Sequence, residues 1–153
     1  MSVLARLTAG RPMNDPREGR GTGESEVTVA EIGMAVGQLG WFTHALVMQL
    51  HCDQDPPNMA AVLNRIEHLI VKAWMNGSGR PQMSRERIEK MAGALWADFA
   101  MAYKLTDLER ASLCGMSDRG FRSGPHEIYR EVSAELASIA SDGFRDVKRQ
   151  LAR

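Results

Sequence analysis

The sequence has little of several features that would fix its class at once. It has only two cysteines, Cys52 and Cys114, in 153 residues, which is too few for a disulfide framework and typical of a reducing compartment. No apolar run reaches the roughly 18 residues that a membrane-spanning helix needs. The N-terminal stretch MSVLARLTAGRP lacks the long apolar segment of a secretory signal. We therefore expect a cytoplasmic protein with no membrane partner.

An excess of charge of one sign is also missing. The chain has 19 lysine and arginine residues against 19 aspartate and glutamate residues, so its formal net charge is zero. Domains that bind nucleic acids are more often basic, and this balance counts mildly against nucleic acid as the partner. A net charge of zero is still compatible with a basic surface in one part of the protein.

The sequence also lacks the usual motifs for catalysis and metal binding. The histidines and cysteines, including the His51-Cys52 pair, match neither the CxxC nor the HxxxH spacing of zinc sites. There is no nucleophile elbow, no phosphate-binding P-loop and no GxGxxG motif. We therefore expect a protein that is not an enzyme, with no metal, no cofactor and no small-molecule substrate.

What the chain does have is helical periodicity after a short irregular start. Residues 1–26 are rich in glycine and proline, carry charges of both signs and show no periodicity, which predicts a flexible N-terminal arm. From residue 27 to 153 we expect a single compact helical domain. No segment has the pattern of a strand, so the predicted fold class is all-α.

Caps and apolar stripes indicate where these helices lie. Thr28 and Glu31 form a predicted capping box, followed by apolar residues at helical spacing to Leu50. Further stripes cover 59–74, 84–103 and 125–151, the last interrupted by the SDG at 141–143. Ser84 is expected to cap its helix and Pro57 to lie in a first helical turn. We expect the three tryptophans to be buried in the core: Trp41, Trp74 and Trp96.

The stretch LERASLCGMSDRGFRSGP, residues 108–125, has the pattern of a helix-turn-helix. Thr106 and Glu109 form a second predicted capping box, and a short helix follows to about Cys114. Gly115 suits a tight turn because it tolerates positive φ. Ser117 is expected to cap the second helix. Met116 and Phe121 are expected to close a small core with Ala111, which has to be small because the second helix crosses close to it. The interval 106–123 is therefore predicted to be a DNA-binding helix-turn-helix, with an ordinary tight helical hairpin as the alternative.

In such a motif the second helix enters the major groove of double-stranded DNA. Arginine can contact guanine through two hydrogen bonds, and serine can bind a base or a phosphate. Gly124-Pro125 lies where such a helix usually carries an apolar residue, so the helix is expected to be short or broken there. The predicted DNA-binding residues are Ser117, Asp118, Arg119, Arg122 and Ser123 on the groove face, with Lys104, Arg110 and Arg130 from the flanking helices.

The segments LTDLERASLCGMSDRGFR and IYREVSAEL, together with IASDGFRDVKRQL, resemble one family of transcription factors. They are similar to the Q-type antitermination factors of phage late genes and to the AlpA-like activators of lysis-gene cassettes. The resemblance covers the last third of the chain. The zinc-binding members of that class carry clustered cysteines, which are missing here, so the resemblance is to the zinc-free branch.

The resemblance implies a protein that binds DNA beside a promoter, loads onto paused RNA polymerase and travels with it. Such a factor narrows the RNA exit channel, where nascent RNA is a further contact, and so suppresses termination. The N-terminal arm and the loop at 76–84 are candidate polymerase contacts. The alternatives are a conventional helix-turn-helix repressor or activator, a phage small terminase subunit, and a helical interaction protein without a DNA partner.

Overall fold

The computed structural model describes residues 28–77 and 83–152, and within these ranges the chain is helical with no strand. The predicted all-α class is confirmed. The predicted arm at 1–26 and most of the loop at 76–84 lie outside the described residues. The described helices are α1 (Val29–Gly37), α2 (Trp41–Cys52), α3 (Met59–Met75), α4 (Arg85–Ala100), α5 (Asp107–Leu113), α6 (Asp118–Arg122) and α7 (Pro125–Leu151).

The described residues form two compact units. One contains residues 28–54 and 139–152, and the other contains residues 55–77 and 83–138. The long helix α7 contributes its first half to the second unit and its remainder to the first. The single domain predicted for residues 27–153 stays a prediction. No helix in the described ranges is long and apolar enough to cross a membrane.

The capping box at the start of α1 is confirmed. The Glu31 backbone N–H donates to the Thr28 hydroxyl over 3.1 Å, and the Thr28 N–H donates to the Glu31 carboxylate over 3.0 Å. The single helix predicted from there to Leu50 is wrong, because α1 ends at Gly37 and α2 begins at Trp41. Glycine costs about 1 kcal/mol relative to alanine within a helix, and two glycines, Gly37 and Gly40, flank this break.

Trp41, at the start of α2, does not lie in the core. Its side chain is 58% exposed, so the expectation of burial is wrong for this tryptophan. Trp74 is half-buried and Trp96 is buried. The position of Trp41 on α2 explains the difference, because it lies five residues before the buried Leu46 and therefore on the opposite side of a helix with 3.6 residues per turn.

The core of the first unit joins α1, α2 and the end of α7. A cluster of buried residues forms it: Ile32, Ala35, Val36, Val47 and Val147. The predicted interruption at 141–143 is wrong, since α7 continues through these residues. A side chain at Gly143 would collide with Thr43 and Val47 of α2, so this glycine permits a close approach of two helices rather than a break.

In the second unit, α3 and α4 pack through fully buried side chains that include Ile66, Ile70, Met91 and Leu95. Ser84 caps α4 as predicted, with its hydroxyl accepting from the Arg87 N–H.

Two predicted helix limits in the second unit were wrong. Asn58 caps α3, so Pro57 lies before the cap rather than in the first turn. Helix α4 ends at Ala100 instead of residue 103, because Ala102 and Tyr103 adopt positive φ angles of 56° and 64°.

Candidate nucleic-acid interface

The two short helices of the predicted motif begin at the predicted caps, but the capping box predicted for Thr106 and Glu109 forms only in part, because the Glu109 carboxylate accepts from the Thr106 hydroxyl and not from the Thr106 N–H. At the start of α5, the Thr106 hydroxyl accepts from the Glu109 N–H over 3.2 Å and donates to the Glu109 carboxylate over 3.1 Å. At the start of α6, the Ser117 hydroxyl accepts from the Gly120 N–H over 3.0 Å. Each cap satisfies a backbone N–H that has no partner within its helix, so the two caps fix where the helices start.

The turn between α5 and α6 depends on Gly115, as expected. Its φ is 71°, a left-handed conformation that costs glycine little and other residues more. The Met116 N–H donates to the Ala111 carbonyl over 2.9 Å, and the Gly115 N–H donates to the Ser112 carbonyl over 3.0 Å. These bonds close the end of α5 in the Schellman pattern and reverse the chain within four residues.

A small apolar core lies beneath the turn. Ala111 and Phe121, which were expected there, are 1% and 2% exposed, and Cys114 joins them with no exposed surface. The Phe121 ring meets the Tyr129 ring of α7 edge to face at 5.6 Å. Met116 is half-buried. Burial raises the pKa of the Cys114 thiol to about 12, so this side chain behaves as an uncharged apolar group.

Helix α6 presents two arginines to solvent. Arg119 is exposed, and among the described residues it has no ion-pair partner. The Arg122 side chain is 64% exposed, and its Nε lies 3.2 Å from Oδ1 of Asp118, one turn earlier. Residues three apart on a helix are neighbours on its surface, so the two guanidinium groups lie on one face.

The two predicted serine contacts have local roles in the backbone. The Ser117 hydroxyl caps α6, and the Ser123 hydroxyl donates to the Gly120 carbonyl over 2.7 Å. Both residues are exposed. A hydroxyl that accepts one hydrogen bond can still donate one, so the cap leaves Ser117 with a donor for a phosphate or base.

Arg110 occupies a different environment from the α6 arginines. Its Nε lies 2.8 Å from Oδ2 of Asp98, its Nη1 lies 2.9 Å from Oδ1 of Asp107, and its side chain is only 22% exposed. Burial lowers the Arg110 pKa, but the bonds to Asp98 and Asp107 outweigh this and raise it overall. The guanidinium is thus engaged within the protein, and its predicted contact with DNA stays a prediction.

Two residues that the sequence pattern did not single out, Asp98 and Tyr129, hold Arg110 in place. Asp98 is 1% exposed, and the Tyr129 hydroxyl lies 3.0 Å from its Oδ2 and 3.2 Å from the Ala94 carbonyl. Burial and the Asp98 charge raise the Tyr129 pKa, so the phenol stays protonated and can donate. One signal was available in the sequence: Asp98 is the lone acid within the apolar stretch ALWADFA.

The remaining predicted residues are Lys104 and Arg130. Both are exposed. Lys104 lies between α4 and α5, and Arg130 lies on α7 beside a cavity of about 290 Å³ that Arg110 and Ser133 also line. No residue of α6 lines that cavity. Arg130 and Arg110 therefore share the lining of one cavity, whereas the predicted DNA-binding residues of α6 lie away from that lining.

Among the described residues, no group of three histidine, cysteine or acidic side chains could hold a metal ion. Comparison of the chain with protein-family models, with curated proteins and with solved structures finds no match in any of the three. A functional assignment therefore has to come from the residues themselves.

Proposed function

We propose that this chain is a DNA-binding transcription antitermination factor, not an enzyme, whose partners are double-stranded DNA and RNA polymerase. In this proposal α5 and α6 form the DNA-binding helix-turn-helix. The protein loads onto polymerase paused near a promoter and promotes transcription through terminators by acting at the RNA exit channel, next to nascent RNA.

One observation carries the DNA-binding step: Arg119 and Arg122 lie on one exposed face of α6, which follows a tight turn. Side-chain caps at Thr106 and Ser117 start the two helices that this turn joins. The first residues of the second helix contact base edges in known helix-turn-helix motifs. Arginine is the side chain that most often does so, through two hydrogen bonds to guanine. The ion pair between Arg122 and Asp118 is exposed and therefore weak, so a base or phosphate can displace the carboxylate.

The shortness of α6 limits how the motif can bind. Five residues at 1.5 Å each give a helix of about 7.5 Å, which is less than the roughly 12 Å width of the major groove. Such a helix can place one turn of side chains against the bases but cannot follow the groove. We therefore expect a short recognition sequence, with phosphate contacts from neighbouring elements supplying much of the affinity.

The antitermination step is supported by the resemblance of residues 105–122 and 128–151 to the zinc-free Q-type factors. The zero net charge agrees with it, because a factor that travels with polymerase needs DNA only while loading. A conventional repressor would need to hold its operator throughout, which favours a more basic protein.

The DNA-binding step is tested by selecting bound duplexes from a random pool and measuring affinity for the enriched site. Arg119→Ala and Arg122→Ala should each cost about 1–3 kcal/mol at that site. Arg145→Ala is the matched control, because Arg145 is 65% exposed and paired with an aspartate on its own helix, as Arg122 is. If both α6 variants bind as tightly as the control, the motif is not the DNA-binding surface.

A further inference from the structure

One cation outside the helix-turn-helix lies directly against its turn. A methyl group placed on Gly115 would lie 3.0 Å from Cδ and 3.1 Å from Nζ of Lys90. Lys90 belongs to α4, so its side chain crosses from the supporting helix to the turn. It is still 48% exposed. The ammonium group thus lies at the turn that leads into α6, close to Gly115, which is two residues before the Ser117 cap.

We propose that Lys90 is a DNA-backbone contact that positions α6 in the groove, an inference that rests on the DNA-binding role proposed above. Contacts to phosphate fix the orientation of a protein on the duplex, and contacts to base edges supply specificity. A helix as short as α6 has few backbone contacts of its own. A lysine that lies beside the turn supplies a point charge for the phosphate next to the groove that α6 enters.

The present partner of Lys90 is compatible with that role. Its Nζ lies 3.1 Å from Oε1 of Glu86, one turn earlier in α4, and the Glu86 side chain is 76% exposed. An exposed pair of this kind contributes little stability. Since Glu86 also carries a negative charge towards the same phosphate, it opposes binding. Removing the Glu86 charge should therefore tighten DNA binding, whereas removing the Lys90 charge should weaken it.

A second role for Lys90 gives different expectations. Its charge lies near the C-terminal end of α5, where a cation stabilises the helix dipole. If that were its only role, losing the charge would lower the stability of the fold and leave the number of phosphate contacts unchanged. The dependence of DNA affinity on salt separates the two roles, because each phosphate contact contributes about 0.9 to the slope of log K against log salt.

Helix α4 offers a matched control pair. Arg85 and Glu89 form an exposed ion pair of the same spacing, with 3.1 Å between Nε and Oε1, at the start of the same helix. The five variants are Lys90→Gln, Lys90→Arg, Glu86→Gln, Arg85→Gln and Glu89→Gln. Affinity of the full chain for a fixed duplex of mixed sequence is measured between about 50 and 200 mM salt, together with the midpoint of urea unfolding.

Lys90→Gln should lower the slope by about 0.9 and reduce affinity, while Lys90→Arg, which keeps the charge, should keep the slope. Glu86→Gln should raise affinity, and the Arg85 and Glu89 variants should bind like wild type. Two results would overturn the inference while leaving the DNA-binding proposal intact. One is a salt slope for Lys90→Gln equal to that of Arg85→Gln, and the other is a lower unfolding midpoint for Lys90→Gln with an unchanged slope. If wild-type protein does not bind the duplex, both proposals fail together.

Discussion

The carboxylate of Asp98 lies 2.8 Å from the guanidinium Nε of Arg110, so a buried side chain of α4 holds α5. The Tyr129 hydroxyl from α7 lies 3.0 Å from the same carboxylate. Side chains of α4, α5 and α7 therefore meet at the Asp98 carboxylate. Because Asp98 has almost no exposed surface, it depends on these partners for the stabilisation that water would otherwise give it.

Arg110→Met should destabilise the protein strongly, because it leaves the Asp98 carboxylate buried with its charge unpaired. Removing one partner of a buried ion pair typically costs about 3–5 kcal/mol. The control is Arg122→Met, which breaks an exposed pair with Asp118 and should cost less than about 1 kcal/mol. Urea unfolding measures both. Equal, small losses would mean that the Asp98–Arg110 pair does not hold α5 in place.

Gly143→Ala and Gly93→Ala should change stability in opposite directions. A methyl group at Gly143 would collide with the Thr43 and Val47 side chains, and overpacking a core typically costs about 1–3 kcal/mol. Gly93 lies exposed in α4 with no atom near its missing Cβ, so alanine there should stabilise the helix by about 0.5–1 kcal/mol. Thermal unfolding of the two variants provides the measurement. Stabilisation by Gly143→Ala would show that α2 and α7 are not in close contact.

The sequence predicted what local chemistry determines. The caps at Thr28, Ser84, Thr106 and Ser117 and the turn at Gly115 depend on residues within a few positions of each other, and each was confirmed. The core beneath the turn was predicted for a similar reason, since Ala111 and Phe121 lie on facing sides of adjacent helices.

Several of the errors occurred where distant residues decide the outcome. The serine, aspartate and glycine at 141–143 look like a helix break, but Gly143 is helical because α2 packs against it. Two other errors were local. Trp41 lies on the side of α2 away from the buried Leu46, and Asn58 rather than Pro57 marks the start of α3. The Asp98–Arg110 pair and the Lys90–Gly115 contact join residues 12 and 25 positions apart along the chain, so no local pattern contains them.

The two cysteines should differ sharply in reactivity. Cys114 is buried at the end of α5, and burial raises its thiol pKa to about 12, while Cys52 is exposed. Since the thiolate is the reactive form, iodoacetamide should label Cys52 first and Cys114 only when the motif opens. Mass spectrometry of peptides after timed labelling measures both rates, with Cys52→Ala isolating the slow site. Equal rates in native buffer would mean that the core beneath the turn is open to solvent.

The measurement that tests the central claim most directly is transcription in vitro across a terminator. The template carries a promoter with the selected DNA element beside it and a terminator downstream, and wild-type protein is titrated against Arg122→Ala. Wild type should increase readthrough. The variant should lose it at low concentration and regain part of it at about tenfold higher concentration for each 1.4 kcal/mol of lost binding energy. If wild-type protein binds the element tightly yet leaves termination unchanged at every concentration, the antitermination proposal is wrong and a conventional repressor or activator takes its place.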